Sequence, residues 1–518
     1  MSALDAAFVR LERAFDRAFG AAANPLRHLG ALGFLFFWVL AASGIYLYIR
    51  FDTSVAGAYE SIGRLSREEW WFGGLLRSVH RYAADAFVLV TLLHLVREFA
   101  AGRFRRFRAF SWISGVPLLW LMYASGIVGY WLVWDARAQF SALATAQWFD
   151  ALRLAAQPMA RNFIGAETVA DRLFSLFVFL HLGLPLALLA GMWVHVQRIG
   201  EPRTVTPRRL ALGTLAMLFG AALTSPALSH QPWDPLRVPA TLDLDWFLLF
   251  AHPLMYETSP FALWGLVGGA TIGLVALPWL ARGRAPAVVR VSAENCNGCG
   301  RCVADCPFQA VLLAPVLIQN SADGRAGQQA EVFPERCAAC GICAGACPSS
   351  TPFRSLRELV SGIDLPDLTV RTLRQNLEEA LSRLSGPARV VIFGCDCGAR
   401  VERLADPSTA VLSLRCIAML PPSFVEYALR GGAEGVLVAG CREGECAYRF
   451  GDRLLTARFA GKREPHLRAS VPRGRLGHAG CAAGEESRAA AALAELRAAL
   501  RSAPPMHAAS PKRRFARA

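Results

Sequence analysis

No cysteine occurs in the first 295 residues; all fourteen come later. Charge is sparse too, at 18% Asp, Glu, Lys and Arg against 54% hydrophobic residues. That balance argues against a wholly soluble chain and for a membrane protein. No Gly-x-Gly-x-x-Gly falls between a strand and a helix, so nicotinamide or flavin, if used, belongs to a partner. A cleavable signal peptide is not evident either. Residues 1–23 read instead as an amphipathic helix on the membrane surface, with Phe8, Leu11, Phe15 and Phe19 on one face and Arg10, Arg13 and Arg17 elsewhere. The formal charge of +15 does not argue for nucleic acid, because much of the excess sits in short segments beside apolar runs.

What the chain does have is six apolar stretches long enough to span a bilayer: 29–50, 78–99, 110–134, 171–198, 208–228 and 261–281. Arg97, Arg103, Arg105, Arg106 and Arg108 follow the second, and Arg198, Arg203, Arg208 and Arg209 follow the fourth. Positive-inside topology then puts both loops, both termini and all cysteines in the cytoplasm of a prokaryotic cell.

His80 and His94 are fourteen apart in one apolar stretch, and His181 and His195 are fourteen apart in another. Fourteen residues are nearly four helical turns, so each pair shares one helix face about 21 Å apart. Two such helices side by side predict two stacked bis-histidine sites, His80 with His181 (outer) and His94 with His195 (inner), suited to haem iron. Gly30 and Gly44, and Gly115 and Gly129, repeat the interval. Either a flat ring approaches the backbone there, or small residues serve helix packing. Arg77 and Arg97, each three residues from a histidine, are candidates for haem propionates.

On these histidines, these glycines and Gly129-Tyr130-Trp131-Leu132-Val133-Trp134, residues 24–281 resemble cytochrome b of the bc1 and b6f complexes. The resemblance implies two haems b, a homodimer, and an outer quinol-oxidation pocket to which Tyr130 leads. It aligns the family's Pro-Glu-Trp-Tyr with Leu244-Asp245-Trp246-Phe247, making Asp245 the acceptor of a quinol proton. The other reading of Asp245 is a surface acid capping a short apolar helix over 246–256. Two departures concern the inner side: Arg208 and Arg209 stand where the family has an acid, and no histidine follows His195 in the next turn.

Cys296, Cys299, Cys302 and Cys306-Pro307 form C-x2-C-x2-C-x3-C-P, and Cys337, Cys340, Cys343 and Cys347-Pro348 repeat it. This is the two-cluster bacterial ferredoxin run, in which the fourth cysteine crosses to the other cluster. One [4Fe–4S] set is then Cys296, Cys299, Cys302 and Cys347, and the other Cys337, Cys340, Cys343 and Cys306. Zinc is the competing metal.

Residues 351–387 read as a helical linker, with Leu373, Leu377, Leu381 and Leu384 on one face. From 388 the pattern is α/β: strands over Val390–Phe393, Ala410–Leu414 and Gly435–Val438 are each followed by cysteine. Sites in open α/β sheets lie at the carboxyl ends of strands. Cys395, Cys397, Cys416, Cys441 and Cys446 should therefore converge, four of the five holding a [2Fe–2S] cluster, or zinc instead. Cys481 stands apart as structural. Gly440 to Cys446, Tyr448 and Cys416 make residues 388–485 resemble the delta subunit of methyl-viologen-reducing hydrogenase, which implies a soluble flavoprotein partner of heterodisulfide-reductase type.

The predicted architecture is multidomain. A transmembrane α-helical dihaem bundle (24–284) precedes a small α+β ferredoxin-like domain (285–350), the linker, an α/β domain with a cysteine cluster (388–500) and a disordered basic tail (501–518). The predicted role is the membrane subunit of a quinone/quinol oxidoreductase, passing electrons between a cytoplasmic low-potential donor and membrane quinone. The alternatives are quinol oxidation driving electrons to a low-potential acceptor, and a conduit or membrane anchor with no substrate site.

Overall fold

In a bilayer every backbone polar group must be satisfied within the chain, so apolar runs of this length fold as helices. The computed structural model describes all residues except 1–2, 106–107, 155, 166–167, 198–201, 203, 235–240, 281–286, 318–325, 335, 355–358, 444 and 503–518. Arg106, Arg198, Arg203 and nearly all of the basic tail thus lie outside the described residues. Two compact units emerge, Met1–Arg282 and Gly283–Ala518.

The first unit is helical: α1 Ala3–Phe19, α2 Leu29–Arg50, α3 Ala58–Arg67, α4 Leu75–Ala100, α5 Ala109–Val133, α6 Ala136–Asp150, α7 Asp171–Val196, α8 Arg208–Thr224, α9 Ala251–Glu257 and α10 Pro260–Leu280. Helices α2, α5, α7 and α10 are long and apolar enough to cross a membrane. The other two expected spans are helical as well. Helix α4 carries Arg77, Arg81, Asp85, Arg97 and Glu98, and α8 has 17 residues. Helix α2 packs along α4, and α5 along α7. The unit's core is large side chains such as Phe36, Phe37, Trp134, Phe174 and Phe177.

Two short helices, α3 and α6, carry no transmembrane signal. In α6, Ala138, Ala142, Ala144 and Ala146 are buried, and Asp135 caps the helix through the amides of Arg137 and Ala138. The helix expected over 246–256 begins only at Ala251. Pro253 suits a first helical turn and not an interior.

In the second unit, β1 Arg290–Val291 pairs antiparallel with β4 Ile363–Asp364, and β2 Val311–Leu317 with β3 Ala326–Val332. Two five-residue helices, α11 Arg301–Asp305 and α12 Ile342–Ala346, each follow a left-handed glycine, Gly300 and Gly341. The repeated cysteine run is thus also a repeat of structure. The stretch read as a linker contains α13 Val370–Arg383, whose Leu373 and Leu377 are buried in the same unit.

The remainder is a four-stranded parallel sheet of β5 Val390–Cys395, β6 Thr409–Leu414, β7 Gly435–Gly440 and β8 Leu476–Gly480, in the order β6-β5-β7-β8. Helices α14 Ser423–Arg430, α15 Gly451–Phe459 and α16 Glu486–Ser502 complete it. Strands β5 and β7 are buried along their whole length. The fourth strand, β8, adds to the three read from sequence; Gly477, His478 and Gly480 hide it.

Candidate redox sites

In the membrane unit the four histidines lie on α4 and α7, two on each. The rings of His80 and His181 face one another with centroids 6.3 Å apart. A metal bonded to one nitrogen of each ring at about 2 Å needs a centroid separation of about 6 Å. His94 and His195 also lie close enough to interact electrostatically.

Each of the four glycines sits against one histidine. A Cβ added at Gly44 would lie 3.2 Å from His80 Cε1, at Gly115 3.2 Å from His195 Cε1, at Gly129 2.8 Å from His181 Cε1, and at Gly30 3.8 Å from His94 Cε1. The room these residues leave is occupied by the imidazoles themselves. Their partners fix which nitrogen is left over. The Ser43 hydroxyl donates to Val39 O and so accepts from His80 Nδ1 at 2.9 Å. Ser114 does the same for His195 Nδ1 at 3.1 Å, and His181 Nδ1 donates to the Ser125 carbonyl at 3.0 Å. With Nδ1 engaged, Nε2 is the nitrogen free to bind metal. Sequence reading missed these serines, although Ser43 and Ser114 each directly precede a singled-out glycine.

Both propionate candidates are engaged with protein groups. Arg77 donates to Ser66 Oγ (2.6 Å) and Ser229 Oγ (2.7 Å). Arg97 pairs with Glu12 of α1 at 2.8 Å.

Asp245 is buried, which rules out the surface-acid reading. Tyr130 donates its hydroxyl to Asp245 Oδ2 at 2.6 Å, and Arg81 approaches the same oxygen at 2.8 Å. Arg81 also pairs with Asp85, and its guanidinium lies 5.2 Å from the Tyr130 ring centre. The capping half of that reading survives in part: Oδ1 accepts from the amides of Phe247 (2.8 Å) and Leu248 (3.3 Å). Arg81 and Asp85 carried no spacing signal and were missed.

In the second unit Cys296, Cys299, Cys302 and Cys347 line one pocket, and Cys306, Cys337, Cys340 and Cys343 line another. The sulfurs therefore group with the fourth cysteine of each run crossed to the other. Burial pushes the Cys302 and Cys340 thiols up to about 12, aided by neighbouring cysteines. Among the described residues, no three His, Cys, Asp or Glu side chains close around a single ion.

At the carboxyl edge of the parallel sheet, Cys395 ends β5 and Cys441 follows β7, with their sulfurs 3.6 Å apart. The strand order reverses between these two strands, which is where such sheets bind ligands. Cys416 and Cys446 form a second sulfur pair, seated on Gly451, whose amide donates to Cys446 Sγ at 3.3 Å. Cys397 joins the group through Cys395. Hydrogen bonds from Cys397 and Cys441 hold Cys395 well below the usual thiol range, and those from Cys416 and Cys441 do the same for Cys446. Cys481 is fully buried in the apolar core with Val390 and Ile392.

Histidine pairs in a helical membrane unit, followed by a cysteine-rich α/β unit, define an integral-membrane electron-transfer protein. The profile of Cytochrome b/b6/petB matches residues 19–201, that of the 4Fe-4S dicluster domain 295–351, and that of the methyl-viologen-reducing hydrogenase delta subunit 394–503. The chain is 31% identical over 185 residues to the menaquinol:cytochrome c reductase cytochrome b subunit of Geobacillus thermodenitrificans, covering 33% of this chain and 80% of that one. It is 24% identical over 286 residues to cytochrome b of Rhodospirillum rubrum, covering 50% and 70%. A solved chain titled Hyperthermophilic respiratory Complex III aligns at 22% identity and TM-score 0.41, covering 50% of this chain and 76% of that one. The chain belongs to the cytochrome b family. Haem b in the membrane unit and iron–sulfur clusters in the dicluster region follow from these matches.

Proposed function

We propose that this chain is the membrane subunit of a quinone/quinol oxidoreductase complex, linking a soluble low-potential flavoprotein to membrane quinone. The observation that carries it is the fit of glycine to histidine: four imidazoles, each lodged against its own glycine, two of them facing at the separation a shared metal needs. His80 and His181 would hold one haem b, and His94 and His195 a second. Cys296, Cys299, Cys302 and Cys347 would hold one [4Fe–4S] cluster, and Cys306, Cys337, Cys340 and Cys343 another. Cys395 with Cys441, and Cys416 with Cys446, would hold a [2Fe–2S] cluster as two sulfur pairs. When bound, these groups supply one-electron transfer.

The chain's own residues handle protons. Asp245 Oδ2 already accepts from Tyr130 and approaches Arg81, so taking a quinol proton there requires one of these contacts to open. The Tyr130 hydroxyl is the natural one to swing toward a quinone oxygen, leaving Arg81 to hold the carboxylate in place. Arg81 also reaches Asp85, a second carboxylate for the proton. The arginine-rich loops, read as cytoplasmic, support a topology with the cysteine-rich unit on that side of a prokaryotic inner membrane. A homodimer through the cytochrome part completes the proposal.

An anaerobic potentiometric titration followed by visible and EPR spectra tests the reading. Two b-type transitions and three iron–sulfur signals are expected, and their potentials give the direction of flow. One haem, or none, would overturn it.

A further inference from the structure

Three arginines from the loop after β7 and from α15 and its following turn reach the short segment around Cys306. Arg463 pairs with Asp305 and donates to Ala304 O at 3.0 Å. Arg449 lies over the Phe308 ring, 4.7 Å from its centre, and donates to Pro307 O. Arg458 goes deepest, with no exposed surface. It pairs with Asp305 and donates to Ala418 O at 2.7 Å and Ile342 O at 3.4 Å.

Those three partners are not scattered. Asp305 adjoins Cys306, Ile342 adjoins Cys343, and Ala418 is two residues beyond Cys416. One guanidinium therefore joins a carboxylate and a backbone carbonyl, each beside a cysteine of the second ferredoxin set, to a backbone carbonyl near one cysteine of the terminal set. The fold clears space for the junction. A Cβ at Gly345 would collide with Ala418 O and lie 2.9 Å from the Arg458 guanidinium, and one at Gly341 would lie 2.8 Å from Met419 Sδ.

Burying an arginine is costly unless it is well paired, and an apolar side chain could fill the same volume. The charge itself therefore calls for a reason. Asp305 is shared between Arg458 and Arg463, so the group carries net positive charge. A fixed positive charge in a low-dielectric site stabilises an added electron nearby. Among the described residues, Arg458 makes no hydrogen bond beside Cys296, Cys299 or Cys347.

We propose that Arg458 is a positioning residue that joins the terminal cysteine group to the second ferredoxin set and raises the reduction potential of the clusters both hold, making this pair the crossing point for electrons between the two folds. The inference rests on the reading that both sets hold iron–sulfur clusters.

The test is an anaerobic EPR-monitored titration of the full chain with Arg458→Met, Arg458→Lys and Asp305→Asn. Arg458→Met is expected to lower two of the three iron–sulfur potentials and leave the third in place, with Arg458→Lys restoring them in large part. Asp305→Asn removes the negative partner and is expected to raise the same two. Unchanged potentials in an Arg458→Met protein that keeps three signals, or an equal shift of all three, would overturn the proposal. If Arg458→Met does not retain clusters, Asp305→Asn decides: potentials that stay put or fall count against it. Absence of three signals in the unsubstituted protein would sink the underlying reading, and is seen before any substitution is compared.

Discussion

Gly129 and Gly30 do the same work under different constraint. An alanine at Gly129 would press its Cβ to 2.8 Å from the His181 ring, which cannot turn aside without losing its 3.0 Å bond to Ser125 O. At Gly30 the corresponding distance to His94 is 3.8 Å, an ordinary contact. Gly129→Ala is therefore expected to purify with about half the haem, the outer b-type transition missing, while Gly30→Ala keeps both; haem content and visible redox spectra measure this, and equal retention would refute it. Asp245→Asn keeps the shape of the carboxylate but not its basicity. General acid–base groups contribute roughly 10²–10⁴-fold, so quinone-linked turnover should fall by at least about tenfold with haem spectra unchanged. Intact turnover would favour the conduit reading. The histidines and glycines were legible because a fourteen-residue interval survives as a face on any straight helix. Arg81 and Asp85 were not, because their meaning depends on Asp245, which is 160 residues or more away in sequence.

Strand order decides what happens at the cysteines of the parallel sheet. Because β5 and β7 are neighbours, Cys395 and Cys441 meet, and β6 on the other side of β5 brings in Cys416. The fifth cysteine, Cys397, bonds to Cys395, whereas Cys441 bonds to both Cys395 and Cys446 and so ties the two sulfur pairs together. Substituting serine at Cys395, Cys416, Cys441 or Cys446 is expected to abolish the [2Fe–2S] EPR signal, while Cys397→Ser and Cys481→Ser keep it. A lost signal in Cys397→Ser would assign the pairs differently. Element by element, the sequence betrayed apolar spans and β-branched strands more readily than structure made by small residues. Helix α6 is packed through alanines, and β8 is mostly glycine and alanine, so neither shows the contrast of large apolar and polar positions that periodicity needs.

The cysteine-rich unit, read from sequence as separate domains, has its described residues in one compact unit. Met419 packs into the same core as Cys302 and Cys343. Deleting 388–518 would uncover that core and remove Arg458 and Arg463, which grip Asp305. The shortened chain is expected to lose [4Fe–4S] content as well as [2Fe–2S], measured as iron and sulfide per haem; full retention would show the ferredoxin part to be self-sufficient. Such dependence was illegible because it rests on contacts such as Arg458 with Asp305, which no local pattern announces. The crossed cysteines carry a consequence for descent. Cys306 lines the pocket of the second run and Cys347 that of the first, so on the proposed ligand sets each half of the repeated segment would complete its neighbour's cage. Neither copy can decay through mutation while the other persists intact, and a lineage that tried to simplify to a single cluster would have to rebuild a ligand for the one it kept.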